Sequence, residues 1–247
     1  MKILILIGNV PDTTTKVRFN ADKTAFDPTG IQWIINPWDE LALTRAMDLK
    51  ETTGGVVSEI VVANVGRQET EGTLRKALAI GADKAIRIDA DAKDAFYVAS
   101  QLAQVAKGYD LIFAGIEASD YNGSAVGGML AEMLEINSVS AVSGIQIENG
   151  NVKINREIDG GSQTIALPLP LLAIVQKGIA KEPRIPAMRG IMMARTKPLE
   201  VVQPIAVEPK TNITVFTLPA PKAACKKIAE DQAKDLIYLL RDEAKVL

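Results

Sequence analysis

The sequence has no histidine and a single cysteine, Cys225, among its 247 residues. A lone cysteine excludes an internal disulfide and any cysteine-rich metal site. It fits a cytosolic or other reducing compartment. Without imidazole there is no His-based triad, no zincin site and no histidine acid–base group. Asp, Glu, Lys, Ser and Thr remain, so enzymatic chemistry is narrowed but not excluded. Charge of one dominant sign is also missing. The formal net charge is -2, which gives no global surface for a polyanion, and nucleic acid is not an expected partner. Long apolar runs are absent too. The opening run Ile3–Ile7 is too short for a membrane span or a signal h-region, and no small-residue cleavage site follows it. It reads as a buried parallel strand. No membrane insertion is expected, and a cytoplasmic, bacterial-type chain is.

What remains is an ordinary globular composition, 47% apolar and 23% charged, on a chain long enough to bury a core without metal or disulfide. Apolar runs at Ile3–Ile7, Ile60–Val65, Ala85–Ile88 and Leu111–Ala114 read as strands. Helical spacing separates them. Pro37–Glu51 places Leu41, Ala42, Ala46 and Leu49 on one face, with Asn36 as its cap and Pro37 in its first turn. Further helices are expected over about Gln68–Ile80, stopped by Gly81, over Ala92–Gly108, and from near Ser124 through Leu134. Such alternation predicts an α/β fold whose mostly parallel sheet is covered on both faces. Ile145–Glu148 and Val152–Arg156 read as a β-hairpin across Asn149-Gly150, and Leu171–Val175 as another buried strand. After Pro183 the chain turns proline-rich, with Pro186, Pro198, Pro204, Pro209, Pro219 and Pro221. This predicts an extended arm lying on a partner or along the domain's outside. A last helix is expected over about Ala224–Ala244, with Ile228, Leu236, Ile237, Leu239 and Leu240 as its apolar face. The expected division is an α/β domain over 1–185 and an arm over 186–247.

Ligands of parallel sheets sit at the carboxyl ends of the strands. Three segments converge there: Gly8-Asn9, Ala63–Gly66, and Gly115–Gly128. The last is rich in glycine, serine and alanine, so backbone N–H groups can approach an anion. A helix starting near Ser124 adds its free N–H groups and dipole. The loop is neither a Walker A loop nor a GxGxxG fingerprint. The residues alone leave two readings open, a phosphate cradle without lysine or a capped βα turn with no ligand. Arg67 and Arg75 read as charges on an exposed helix face or at an interface.

Several motifs in order resemble the electron transfer flavoprotein (ETF) beta subunit family. They are Asn36-Pro37-Trp38-Asp39-Glu40-Leu41-Ala42, Ala77–Asp83, the Gly115–Gly128 loop, the stretch Arg156–Thr164, and Lys181–Ala194 with its Glu182-Pro183-Arg184. The resemblance spans roughly residues 1–200. It implies a Rossmann-like three-layer fold of the adenine-nucleotide-binding type, with a C-terminal extended arm ending in a helix. It implies an electron carrier subunit and not an enzyme, with no catalytic side chains and no metal. An alpha subunit would complete a heterodimer and hold most of the FAD. Electrons would arrive from acyl-CoA dehydrogenases of fatty acid oxidation, or from similar flavin dehydrogenases, and leave to a quinone oxidoreductase.

By the same resemblance, AMP is expected in this chain. Its phosphate would meet the amides of Ser124, Ala125 and Val126, near Asp120, Asn122 and Gly123. Gly8, Asn9, Asn36, Ala63 and Val65 would lie around the adenosine. The partner-recognition loop falls on Pro186–Met192, with Met188 at the place of the family's docking leucine and Ile191 beside it. Arg184 and Arg195 flank it as charges toward an acidic dehydrogenase surface. The alternative for Met188, Met192 and Met193 is packing beneath their own loop. The sequence departs from the family at three places. Gly8-Asn9 stands where a lysine is frequent, Thr13 where a flavin-contacting tyrosine occurs, and Ala173 where a larger aliphatic is usual. Pro11-Asp12-Thr13 is similar to electron-bifurcating ETFs, in which a second FAD replaces AMP, whereas Glu40-Leu41-Ala42 is closer to ordinary ones. A free-standing adenine-nucleotide-binding enzyme of the same fold is the further alternative.

Overall fold

A computed structural model describes residues 1–148, 151–222 and 224–247. In chain order the elements begin with β1 (Lys2–Leu6), β2 (Asn9–Pro11), β3 (Trp33–Ile35), α1 (Pro37–Thr52) and β4 (Glu59–Val65). A 3-10 turn (Gln68–Thr70) leads into α2 (Glu71–Ile80), followed by β5 (Lys84–Ile88), α3 (Ala95–Ala106), β6 (Leu111–Gly115) and α4 (Val126–Leu134). Then come β7 (Asn137–Glu148), β8 (Asn151–Ile158), β9 (Gly161–Leu167), β10 (Leu171–Val175), α5 (Met188–Ala194), β11 (Leu199–Val202) and α6 (Asp235–Tyr238).

Among the described residues, one sheet runs in the order β11-β5-β4-β1-β6-β10-β7-β8-β9. From β11 to β7 every pairing is parallel, and β7-β8 and β8-β9 are antiparallel. Alternation along β1 shows how the sequence builds three layers. Ile3 and Ile5 pack with Leu43, Ala46, Leu74 and Leu78 of α1 and α2. Leu4 and Leu6 pack on the opposite face with Tyr97 and Leu102 of α3 and Leu130 of α4. The fold is α/β, Rossmann-like and mostly parallel, as expected. Phe113, wholly buried in β6, is a central side chain of the first layer, and its truncation to Ala would cost about 3–5 kcal/mol.

Several local expectations change. Asn36 precedes α1, but its side chain makes no cap bond. It is spent on the loop after β6, as described below. Ser124 does not cap α4, which begins at Val126; Ser124 has φ +48° and Ala125 takes the boundary position. α3 is shorter than expected and is capped by Asp94, whose carboxylate accepts from Tyr97 N at 2.8 Å. The 145–156 hairpin is present as part of the longer β7 and β8, while the Asn149-Gly150 turn lies outside the described residues. The segment from residue 186 first contributes α5, packed on α2, and β11, paired to β5, before it leaves the body as an arm. The expected Ala224–Ala244 helix contracts to a 3-10 turn, the four-residue α6 and a π turn at Leu239–Glu243. Leu236, Ile237 and Tyr238 are exposed there. An amphipathic helix draws most of its stability from a buried face, and among the described residues this segment has no buried position.

Candidate functional site

The carboxyl ends of β4, β1 and β6 are neighbours in the sheet. Above them lies a cavity of about 550 Å³. The three segments expected at this edge all line it. Gly8 and Asn9 come from the end of β1, Ala63 and Val65 from β4, and Asp120, Gly123, Ser124, Ala125 and Val126 from the loop between β6 and α4. Asn36, 2% exposed, lines it from the start of α1. Asn122 is the exception. It turns back on its own loop, where its backbone N–H donates to Ala118 O at 2.8 Å, and it is not part of the lining.

Two side chains from one tight turn organise the floor. Asn36 donates from Nδ2 to Glu117 O at 2.9 Å, and its Oδ1 accepts from Ser119 N at 3.2 Å. It thereby ties the loop after β6 to the start of α1. Asp39 is 5% exposed. Its Oδ2 accepts from Gly8 N at 2.8 Å and its Oδ1 from Gly115 N at 2.8 Å. One carboxylate thus joins the ends of β1 and β6. Burial pushes the Asp39 carboxyl up to about 7, against the pull of the surrounding N–H donors. Gly115 is required by this approach, because a Cβ there would run into the Asp39 carboxylate and lie 2.8 Å from Trp38 Cβ. Gly66 is required in the same way between Thr70 and Asn64.

The amide-rich end of the cavity is the start of α4. The first N–H groups of a helix have no intrahelical acceptor, and the dipole there favours an anion. Asp120 lies on the exposed loop beside it, where partial desolvation raises its carboxyl above the usual carboxylate range. Cationic side chains sit elsewhere on the rim. Arg67 lines the cavity and is not on a helix face. It donates to Asp89 O at 2.9 Å and to Asp91 Oδ2 at 3.0 Å. Lys93 also lines the rim, with Nζ 4.8 Å from the centre of the Tyr97 ring. Arg75 is directed inward and donates to Ala194 O and Lys197 O, holding the end of α5.

Sequence reasoning also passed over Asn64. It is 4% exposed and lines the cavity. Its Nδ2 donates to Ile7 O at 2.7 Å, which fixes the amide orientation, while the buried Oδ1 has no partner among the described residues. A buried acceptor without a donor is costly. Nothing in the pattern Ala63–Gly66 distinguishes such an asparagine from a solvated one.

The second region of interest is α5. Met188, Met192 and Met193 are exposed at 74%, 67% and 49%, and Ile185 and Ile191 are exposed with them. These methionines do not pack beneath their own segment. Gly190 instead lies so close to the Ala79 carbonyl that a Cβ would collide with it, and Ala194 is the buried residue of the helix. Arg195 is exposed. Arg184 is not a free charge. It donates to Glu51 Oε1 and Oε2 at 2.6 Å each and to Asp48 Oδ1 at 2.5 Å, clamping the segment to α1.

Fold and cavity together define a three-layer α/β protein with a ligand-sized pocket at the carboxyl edge of a parallel sheet. The family described as Electron transfer flavoprotein domain matches residues 24–207. "Electron transfer flavoprotein subunit beta" of Bacillus subtilis is 35% identical over the whole of both chains. The protein of that name from Syntrophomonas wolfei is 38% identical over 94% of this chain and 91% of its own. The human one is 28% identical over 100% of this chain and 99% of its own. The chain belongs to the electron transfer flavoprotein beta subunit family. Its relatives are named as subunits of electron carriers. No helix among the described residues is long and apolar enough to cross a membrane.

Proposed function

We propose that this chain binds AMP in the cavity above β4, β1 and β6 and serves as the beta half of a heterodimeric electron carrier. The observation that carries the reading is the convergence of three strand ends on one cavity that ends at the amides of a helix. The residues fit such a ligand. Asn64 ties the end of β4 to Ile7 O beneath the cavity through its Nδ2. Gly66 and Gly115 keep the floor open at backbone level. The free amides around Ser124, Ala125 and Val126 receive the phosphate without a lysine. Asp39 and Asn36 hold the strand ends and the phosphate loop in register. Arg67 and Lys93 stay at the rim, on the α3 side of the cavity.

In this reading the alpha subunit holds most of the FAD, which supplies the redox chemistry. Residues 217–247 wrap that subunit and bury their exposed apolar side chains. Met188 and Ile191 on α5 dock into an apolar pocket of an acyl-CoA dehydrogenase or a similar flavin dehydrogenase, with Arg195 facing its acidic rim. A quinone oxidoreductase takes the electrons onward, and the assembly is cytoplasmic. The chain's task in this reading is distance and orientation, which needs no acid–base pair. A second reading keeps the same cavity and places a second FAD in it, as in bifurcating ETFs, supported by Pro11-Asp12-Thr13. Co-expression with the alpha chain, denaturation of the purified pair and mass identification of released nucleotides test the proposal. AMP and FAD in equal amounts support the first reading. Two FAD and no AMP transfer support to the second. An ATP-hydrolysing monomer without flavin would overturn both.

A further inference from the structure

The arm crosses the cavity on its way out. Ile205 is gripped through both backbone groups by Gln101, whose side chain is wholly buried. Ile205 N donates to Oε1 at 2.9 Å and Nε2 donates to Ile205 O at 2.8 Å. Five residues on, the Asp94 carboxylate accepts from Lys210 N at 2.6 Å and Thr211 N at 2.8 Å through Oδ2. Asp94 also caps α3, and Ala95, Val98 and Leu102 of α3 form one bank of the cavity. Lys210 Nζ lies 5.0 Å from the centre of the Phe96 ring on the same helix. The next anchor is away from α3. Phe216 N donates to Lys23 O at 2.7 Å, and the Phe216 ring stacks on Phe19 at 5.1 Å. Between the anchors the backbone has no regular structure. Five extended residue steps reach about 17 Å, enough to bridge a nucleotide-sized mouth. Ile213, near the middle of that span, lines the cavity.

We propose that residues 205–216 form a strap over the nucleotide cavity, latched by Asp94, and that opening the latch limits how fast nucleotide enters and leaves. This rests on the nucleotide reading above and adds a kinetic function to the arm. The Gln101 grip is buried and stays closed. The Asp94 latch is exposed, made largely of hydrogen bonds to backbone, and opens at lower cost. Strap opening lifts Ile213 from the mouth while the sheet and α3 remain intact. A nucleotide that serves as a permanent structural part of the carrier is thereby retained by the chain's own arm.

The test is isotope exchange on the assembled heterodimer. The bound nucleotide is replaced by 13C-labelled AMP, an excess of unlabelled AMP is added, and retained label is followed by mass. Asp94→Ser keeps a hydroxyl to cap α3 but has no second oxygen for the arm amides, which Oδ2 holds. It should speed exchange about tenfold, the change expected for loss of roughly one net charged hydrogen bond. Ile213→Ala, at an exposed position, tests the cover without touching the latch and should speed exchange to a smaller degree. In the unsubstituted protein, hydrogen exchange at Lys210 and Thr211 should slow when AMP is bound. Unchanged label retention in both variants of a loaded heterodimer overturns the strap alone. A heterodimer that never takes up AMP overturns the nucleotide reading, and the strap with it.

Discussion

Asp39→Asn tests the floor of the site. The carboxylate accepts from Gly8 N and Gly115 N, and burial raises its pKa from 3.8 to about 7. The sign follows from proton counting. Between the unfolded and folded values the folded chain holds a proton that the unfolded chain has lost. Stability from this group is therefore fullest at acid pH, falls as pH rises from about 4 to about 7, and is flat above. The slope is about 1.4 kcal/mol per pH unit, so about 2–3 kcal/mol is lost between about pH 5 and about pH 7. For a chain of this size that corresponds to a fall in melting temperature of about 5–10 °C. The substituted asparagine does not titrate. Its amide accepts through one oxygen and turns an N–H toward the other donor, and the protonated Asp39 of the parent likewise turns its O–H toward one of the two. At about pH 5 the two proteins should therefore be close in stability. At about pH 8 the parent carries a buried charge, and the variant should be more stable by about 2–3 kcal/mol. The assay is thermal unfolding of both proteins across that range, at fixed concentration and nucleotide content. Parallel pH profiles for the two proteins would refute the buried, raised carboxyl.

Gly115→Ala forces a methyl into the Asp39 carboxylate and the Trp38 side chain; bound nucleotide per heterodimer should fall severalfold, as read by mass after denaturation. Asn36→Ala frees the loop from its bonds at Glu117 and Ser119 and should cost about 1–3 kcal/mol of stability in chemical denaturation, with weaker AMP retention. Met188→Glu places a charge on an exposed apolar position; electron transfer from a dehydrogenase should slow by an order of magnitude or more at unchanged melting temperature, and an unchanged rate removes α5 as a docking element. Arg195→Glu should slow the same transfer at low salt and much less at high salt. Arg184→Ala breaks the clamp to Asp48 and Glu51 and should lower stability by about 1 kcal/mol.

The parallel core was legible because fully buried strands are continuous apolar runs. Ile3–Ile7, Ile60–Val65 and Leu171–Val175 announce themselves. The first part of β7 (137–144) and β9 did not, because their exposed faces carry Ser, Asn, Gln and Thr, and their pairing is settled by neighbours rather than by local pattern. β11 was hidden in a proline-rich stretch, and it is a strand only because β5 offers an open edge. The expected Ser124 cap failed because a glycine-rich turn has several ways to enter a helix, and the left-handed backbone at Ser124, unlike that at Asn122, is not written in residue type. The site's segments could be named from sequence, since strand ends of a parallel sheet converge. The role of Asp39 was not legible. Its partners lie 31 and 76 residues away, and only the folded sheet brings Gly8 and Gly115 to the same carboxylate. The orphan acceptor of Asn64 was equally invisible, because it depends on the amide turning its Nδ2 toward Ile7 O, a contact 57 residues away in the chain.

The most direct measurement is a crystal structure of the chain with its alpha subunit, purified without added nucleotide. The account predicts AMP density above β1, β4 and β6, with its phosphate within hydrogen-bond distance of the Ser124, Ala125 and Val126 amides. An empty cavity, one filled by the chain's own side chains, or a phosphate held by Arg67 and Lys93 with those amides unused would contradict it.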